Sequence, residues 1–129
     1  MLLAAMLIAV VAAIVLLRAR SETGPGVASS SEGRTVEERI AALRSRLADL
    51  RVAQDTFHRH YGVYGRSVGQ MRFAVDPQMT IEIVAHSSQG WVAQGQVRGS
   101  ERLCAIFVGD SAQWAFPPAY QSGVPACTP

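Results

Sequence analysis

VEERIAALRSRLADLRVAQDTFHRHY, residues 36–61, carries the clearest periodic signal of the chain. Its apolar side chains recur at alternating spacings of four and three, with Gln54 as one polar interruption. This spacing predicts an amphipathic helix that runs to about Tyr61 and ends at Gly62. Thr35 and Glu38 have the spacing of a capping box, which places the start of the helix at Thr35. The predicted docking face consists of Val36, Ile40, Leu43, Leu47, Leu50, Phe57 and Tyr61.

Two partners fit this apolar face. A coiled coil is one, although the stretch holds fewer than four full heptads and Gln54 interrupts the seam. A small β-sheet is the other, and it explains the stripe equally well. We favour the sheet because the pattern after Gly62 changes to that of strands.

Three segments after the helix have the pattern of strands joined by short turns. They are residues 79–85 (MTIEIVA), 91–98 (WVAQGQVR) and 102–108 (RLCAIFV). Alternation puts Ile81, Ile83 and Ala85 on one face of the first strand. In the second strand it places Trp91, Ala93 and Val97 together. Short turns predict antiparallel pairing.

The C-terminal tail from Phe116 is too rich in proline for a regular element, and the position of Trp114 stays open. The expected fold class is therefore α+β, with one amphipathic helix packed on a three- to four-stranded antiparallel sheet.

The chain contains two cysteines, Cys104 in the third predicted strand and Cys127 in the tail. An even number of cysteines in a small exported domain predicts a disulfide, which would pin the tail to that strand. Two unrelated buried thiols are the alternative. Neither cysteine belongs to a CxxC motif, so the sequence gives no support for redox catalysis or zinc binding.

The N-terminal segment from Met1 to Leu17 contains no charged or polar side chain. Its length is near the minimum that spans about 30 Å of hydrocarbon as a helix. A cleaved signal peptide would begin with a basic region, which this segment lacks, so we interpret residues 1–20 as an uncleaved transmembrane anchor. Residues 21–34, rich in Ser and Gly, read as a flexible linker. Residues 35–129 form the α+β domain.

The orientation of the anchor has two readings. Arg18 and Arg20 follow the apolar segment, and the positive-inside rule taken alone keeps that end in the cytoplasm. The predicted disulfide argues for the opposite side. A start codon upstream of Met1, adding a basic leader, would reconcile the two, and we favour the external orientation.

The order of these parts resembles the type IV pilins and pseudopilins. The resemblance extends to local sequence: residues 43–55 (LRSRLADLRVAQD) look like the helix of pilin-like domains, and residues 60–64 (HYGVY) like the exit from it. Residues 90–93 (GWVA) look like their second strand. Residues 104–109 (CAIFVG) and 125–127 (PAC) look like their cysteine-bearing strand and tail. Similarity covers residues 35–127.

The chain departs from the pilin pattern at its front. Family members carry a basic leader that ends in Gly, followed by an aromatic residue and a Glu within the hydrophobic helix. Residues 1–17 contain neither the Gly-aromatic junction nor an acidic residue. The Ser/Gly linker also interrupts what is one continuous helix in the family. These departures put incorporation into a filament in question, but not the fold of the domain.

Candidate sites for chemistry are sparse. His58 and His60 are two apart on the predicted helix and point in different directions, and His86 belongs to another element, so no metal site and no cofactor are predicted. We find no pattern of catalytic residues and expect a protein that is not an enzyme and has no small-molecule substrate. Arginines along the helix could form a stripe for DNA, but acidic residues lie between them, and nucleic acid is an unlikely partner. Those arginines are Arg39, Arg44, Arg46, Arg51 and Arg59.

The resemblance implies a structural subunit of a pilus or of a type II secretion-type assembly. Its partners would be membrane lipid, through residues 1–17, and other pilin-like subunits or assembly proteins. It would sit in the inner membrane as a single-pass protein, with the domain in the periplasm or outside the cell. The alternative is a stationary, membrane-anchored module that uses the same fold to bind or scaffold a partner.

Overall fold

A computed structural model describes residues 34–129. The predicted anchor and nearly all of the predicted linker lie outside these residues. Among residues 34–129, no helix is both long enough and apolar enough to cross a membrane. The helices and strands are α1 (Val36–Tyr61), β1 (Met79–His86), β2 (Trp91–Val97), β3 (Leu103–Val108), α2 (Ser111–Trp114) and β4 (Ala126–Cys127).

Helix α1 begins at the predicted capping box. The Thr35 side chain accepts a hydrogen bond from the backbone N–H of Glu38 at 3.2 Å, and the Glu38 carboxylate accepts one from the N–H of Thr35 at 2.9 Å. These two bonds satisfy backbone donors that the first turn leaves without partners.

The sheet has four strands in the order β1-β2-β3-β4, and each neighbouring pair is antiparallel. Helix α1 packs on one face of it, so the predicted α+β class is confirmed for the described residues. The fourth strand corrects one expectation. Ala126 and Cys127 pair with β3 inside a tail that we expected to be irregular.

The main core lies between α1 and the sheet. The helix contributes Leu43, Leu47 and Leu50, all fully buried. The sheet contributes Trp91, Ala93, Val97, Cys104 and Ile106. Gly95 lets the helix approach at the centre, because a Cβ at this position would lie 2.8 Å from Cδ1 of Leu43.

The predicted docking face is longer than the buried one. Ile40 and the three leucines are buried, but Val36 is 38% exposed, Tyr61 is 62% exposed and Phe57 is half-buried. A helix of 26 residues is about 39 Å long, whereas a strand of eight residues spans about 27 Å. The two ends of α1 therefore extend past the sheet, and the periodic pattern continues where there is no sheet to cover it.

A β-bulge at Val84 changes which side Ala85 faces. The pairing of β1 with β2 shifts between Ile83, opposite Ala93, and Ala85, opposite Val92. Ile83 consequently packs against the main core, and Ala85 packs on the opposite face. The prediction that Ile81, Ile83 and Ala85 share a face was wrong for Ala85, because one extra residue reverses the alternation.

The opposite face of the sheet carries a smaller core under Trp114. The indole covers Val92, Ala105 and Phe107, together with Ala119 from the tail. It lies so close to two glycines that a Cβ at Gly90 would be 2.6 Å from the ring, and one at Gly109 would be 2.5 Å from it. Trp114, whose position the sequence left open, is therefore part of the smaller core.

Candidate interaction surface

The candidate surface is formed by the C-terminal end of α1 and by residues 62–78, which we call the connecting loop. Gly62 ends the helix in the left-handed conformation, at φ 75°, and donates its N–H to the carbonyl of His58 at 2.8 Å. Glycine adopts this conformation without the strain that a side chain would cause. The chain then turns back along the helix.

Gln54 fixes the start of the connecting loop. Its Nε2 donates to the carbonyl of Gly65 at 2.9 Å, and its Oε1 accepts from the N–H of Gly65 at 2.6 Å. The side chain is fully buried. A buried peptide group needs a partner for each of its polar atoms, and a primary amide supplies both at once.

Arg46 fixes the end of the same loop. Its Nε donates to the carbonyl of Ala74 at 2.9 Å, and its Nη2 reaches the same oxygen. The guanidinium lies 3.9 Å from the centroid of the Phe73 ring and also pairs with Asp49 at 3.2 Å. The loop is therefore attached to α1 at both ends.

At the C-terminal end of α1, residues of the helix and of the connecting loop line an open groove of about 630 Å³. The helix provides one wall and the loop the other. The lining residues are Ala53, Thr56, Phe57, His60, Tyr61, Gln70, Met71 and Arg72. We call this space the helix-end groove.

Three rings form a contiguous group along the helical wall. The ring centroids of Phe57 and Tyr61 are 4.5 Å apart at an interplanar angle of 41°. Those of His60 and Tyr61 are 4.7 Å apart at 79°, an edge contact. The Tyr61 ring therefore contacts two other rings, although most of its surface is exposed.

Between Asp55 and Asp76 the charged residues of the chain are all arginines. Residues 56–75 contain three arginines, Arg59, Arg66 and Arg72, and no aspartate or glutamate. His60 and Arg72 line the groove itself. Arg72 holds a left-handed conformation, at φ 53°, which a residue with a side chain adopts at a cost in free energy.

His58 and Tyr64 lie on another side of the helix end. Their rings stack with centroids 4.3 Å apart, and His58 Nε2 is 3.0 Å from the carbonyl oxygen of Ser88. Burial raises the pKa of Tyr64, and the carboxylate of Asp55 raises it further. These contacts hold His58 against the β1–β2 turn. Within residues 34–129, no cluster of His, Cys, Asp and Glu side chains could hold a metal ion.

The structure pairs Cys104 with Cys127, with the two sulfur atoms 2.06 Å apart. The two residues are also opposite each other in the β3–β4 ladder. Thr128 extends the contact, since its N–H donates to the carbonyl of Leu103 at 2.8 Å and its hydroxyl accepts from the N–H of Leu103 at 3.0 Å. The tail is thus held on β3 as the sequence predicted.

The arginines of α1 do not form a free stripe. Arg46 is bound to the connecting loop, and Arg51 donates to the carbonyl of Gly123 in the tail at 3.3 Å. Arg39 has its Nε buried without a hydrogen-bond partner. Arg44 and Arg59 are exposed. Two of the five side chains therefore hold neighbouring segments of the domain in place.

Sequence reasoning missed the helix-end groove and the role of Gln54. One signal was available: a stretch of twenty residues without an acidic side chain, containing both aromatic residues and arginines, directly after the buried part of the helix. No protein-family model matches the chain, and no curated protein matches it.

Proposed function

We propose that this chain is a membrane-anchored structural subunit of the type IV pilin-like or pseudopilin-like kind, acting by assembly and contact and not as an enzyme. The observation that carries the proposal is the architecture of residues 34–129. One long capped helix packs on a four-stranded antiparallel sheet, and a cysteine pair holds the last strand in place close to the C-terminus.

The proposed site of action is the inner membrane, with the domain in the periplasm or outside the cell. Residues 1–17 would anchor the chain in lipid, and other pilin-like subunits or assembly proteins of a pilus or secretion system would be its partners. The cysteine pair supports this location, since disulfides persist in oxidising compartments.

One observation favours a second candidate, a stationary anchored module that binds or scaffolds a partner. The helix-end groove is open, lined by aromatic and cationic side chains, and held by contacts at both ends of the connecting loop. A preformed groove of this kind suits a module that binds a partner.

The two candidates differ in how the N-terminus is processed. The test is the mass of the N-terminal peptide of the native protein, isolated from membranes of its own host. We expect a processed, N-methylated end that arises from codons upstream of Met1. An unprocessed end at Met1 would overturn the filament role and leave the stationary module.

A second measurement tests the membrane orientation that both candidates share. A membrane-impermeant maleimide reagent is added to intact and to permeabilised spheroplasts that carry the exposed Ser111→Cys variant. We expect labelling of the intact spheroplasts. Labelling that requires permeabilisation would place the domain in the cytoplasm and contradict both candidates.

A further inference from the structure

We propose that the helix-end groove binds an acidic peptide segment of a partner protein, in which an apolar side chain stands beside a carboxylate. The proposal goes beyond the proposed function, because such a groove would operate on a filament subunit and on a stationary module alike. It stands on four features of the groove: its floor, its charge, the arrangement of its rings and its preformed wall.

The floor of the groove suits an apolar side chain. Phe57 from the helix and Met71 from the loop both line the groove and are half-buried, and Ala53 lines it as well. A thioether and an aromatic ring form an adaptable apolar surface for a leucine or phenylalanine side chain. The groove is open to solvent, so an apolar side chain of a peptide can enter it from outside.

The charge of the groove selects an anion. Arg72 lines it, and residues 56–75 contain no acidic side chain, the nearest carboxylates along the chain being those of Asp55 and Asp76. A guanidinium pairs with a carboxylate through two parallel hydrogen bonds, which gives both affinity and orientation. An acidic segment therefore complements this surface, and a basic segment is excluded by repulsion.

The rings and the single arginine of the groove favour a carboxylate over a nucleic-acid strand. A base stacks on the free face of an aromatic ring. The Tyr61 ring contacts both the Phe57 ring and the His60 ring, so part of its surface is occupied within the molecule. Sites for single-stranded nucleic acid combine such rings with a basic groove along the backbone, whereas one arginine, Arg72, lines this groove.

The loop wall is preformed. The Ser67 hydroxyl accepts from the N–H of Gln70 at 3.1 Å, and the Gln70 side chain accepts from the N–H of Arg66 at 2.8 Å. The N–H of Arg72 donates to the carbonyl of Gly69 at 3.1 Å. These bonds close a tight turn that presents Met71 and Arg72 to the groove. A concave, preformed site suits an inserted side chain, whereas a lipid surface is met by protruding apolar residues.

The test measures binding of a fluorescein-labelled peptide of alternating aspartate and leucine to the full chain in detergent micelles, by fluorescence anisotropy. The matched probe replaces each aspartate by asparagine and keeps every leucine. Related pairs in which phenylalanine or valine replaces leucine cover the choice of apolar residue. We expect saturable binding of at least one acidic peptide and binding about tenfold weaker for its amide twin.

Two variants locate the site. Arg72→Gly removes the guanidinium while glycine accepts the left-handed backbone, and it should weaken binding about tenfold. Tyr61→Ala removes an exposed ring and should weaken binding about three- to tenfold. Arg98→Ala, at an exposed position in the β2–β3 turn, removes the same charge elsewhere and should leave binding unchanged. Circular dichroism verifies that each variant is folded.

Four outcomes would overturn the proposal. The first is that no acidic peptide shows saturable binding below about 1 mM, and the second is that the amide twins bind equally well. The third is that Arg98→Ala weakens binding as much as Arg72→Gly does. The fourth is that a thymidine oligonucleotide or phosphatidylglycerol displaces the peptide at equal charge concentration. The last two would identify general electrostatic attraction as the cause of binding. Neither result bears on the N-terminal processing that tests the proposed function.

Discussion

The side-chain amide of Gln54 forms two hydrogen bonds with the backbone of Gly65, one of 2.9 Å to its carbonyl oxygen and one of 2.6 Å from its N–H, and both residues are buried. The pair repeats the geometry of two backbone groups in a sheet, with a side chain in the place of one backbone. It attaches the connecting loop to α1, and the wall of the helix-end groove depends on that attachment. The one polar residue in the apolar stripe is therefore a structural requirement.

Gln54→Met should lower the free energy of unfolding by at least about 2 kcal/mol. Methionine fills a similar volume but leaves the N–H and the carbonyl of Gly65 buried without partners, at a cost of about 1–3 kcal/mol for each group. The measurement is urea unfolding followed by circular dichroism. Gln113→Met, at an exposed position, is the matched control and should change stability by less than about 0.5 kcal/mol. Equal effects of the two variants would contradict the role of the pair.

Gly95→Ala tests how closely α1 approaches the sheet. An added Cβ would lie 2.8 Å from Cδ1 of Leu43 and 3.0 Å from the carbonyl oxygen of Thr80, so helix and sheet must separate. We expect a loss of about 1–3 kcal/mol of stability by urea unfolding. Gly69→Ala is the control, because a Cβ there has no atom within 4 Å. A Gly95 variant as stable as the Gly69 variant would show that the interface is loosely packed.

The sequence was sufficient to predict α1 and the three longer strands, because each carries a period that only one type of element satisfies. The cap at Thr35 and the end of the helix at Gly62 were predictable because local hydrogen bonding decides both. The pairing of Cys104 with Cys127 was expected from the number of cysteines. All these features depend on neighbouring residues or on simple counting.

The remaining features depend on contacts between distant residues. The bulge at Val84 is a matter of register between β1 and β2, and no local signal marks it. The exposure of Tyr61 follows from where the sheet ends, which the periodic stripe does not encode. The helix-end groove depends on the hydrogen bonds that Gln54 and Arg46 form with the connecting loop. These bonds join residues that are 11 and 28 positions apart in the sequence. The periodicity of the sequence gives no information on contacts between residues so far apart in the chain.

Arg46→Ala should loosen the far end of the connecting loop. The substitution removes the hydrogen bonds to Ala74 and the contact with the Phe73 ring, and we expect a loss of about 1–2 kcal/mol. Amide hydrogen exchange should accelerate in residues 66–75 more than in the strands. Arg44→Ala removes an exposed arginine from the same helix and should leave both the stability and the hydrogen exchange rates unchanged. Uniform acceleration across the domain would indicate global destabilisation instead.

Tyr64 should make the domain less stable at alkaline pH. Burial and the Asp55 carboxylate raise its pKa above the ordinary value of 10.0 in the folded state, so the unfolded chain loses the proton first. The contribution of the protonated Tyr64 hydroxyl to the free energy of unfolding is fully present below pH 10, and it is lost as the pH rises from about 10 through the pKa of the folded state. Urea midpoints between pH 8 and pH 11 should fall more steeply for the native chain than for Tyr64→Phe. Tyr120→Phe, at a position 72% exposed, should retain the native slope, and a Tyr64 variant with that slope would contradict the assignment.

Removal of the Cys104–Cys127 bond should destabilise the domain mainly through the unfolded state. The bond closes a loop with a sequence separation of 23, which on the chain-entropy model is worth about 3 kcal/mol. Strand β4 adds only two residues to the sheet, so without the bond the tail is held by the β4 ladder and the contacts of Thr128. We therefore expect two effects of reductant on the native chain: a lower urea midpoint, and faster hydrogen exchange at residues 124–129 than in β1 and β2. The Cys104→Ala, Cys127→Ala double variant should show the lower midpoint without reductant and no further response to it. A native chain whose stability does not respond to full reduction would mean that the β3–β4 contact alone holds the tail, and the argument from loop closure would fail.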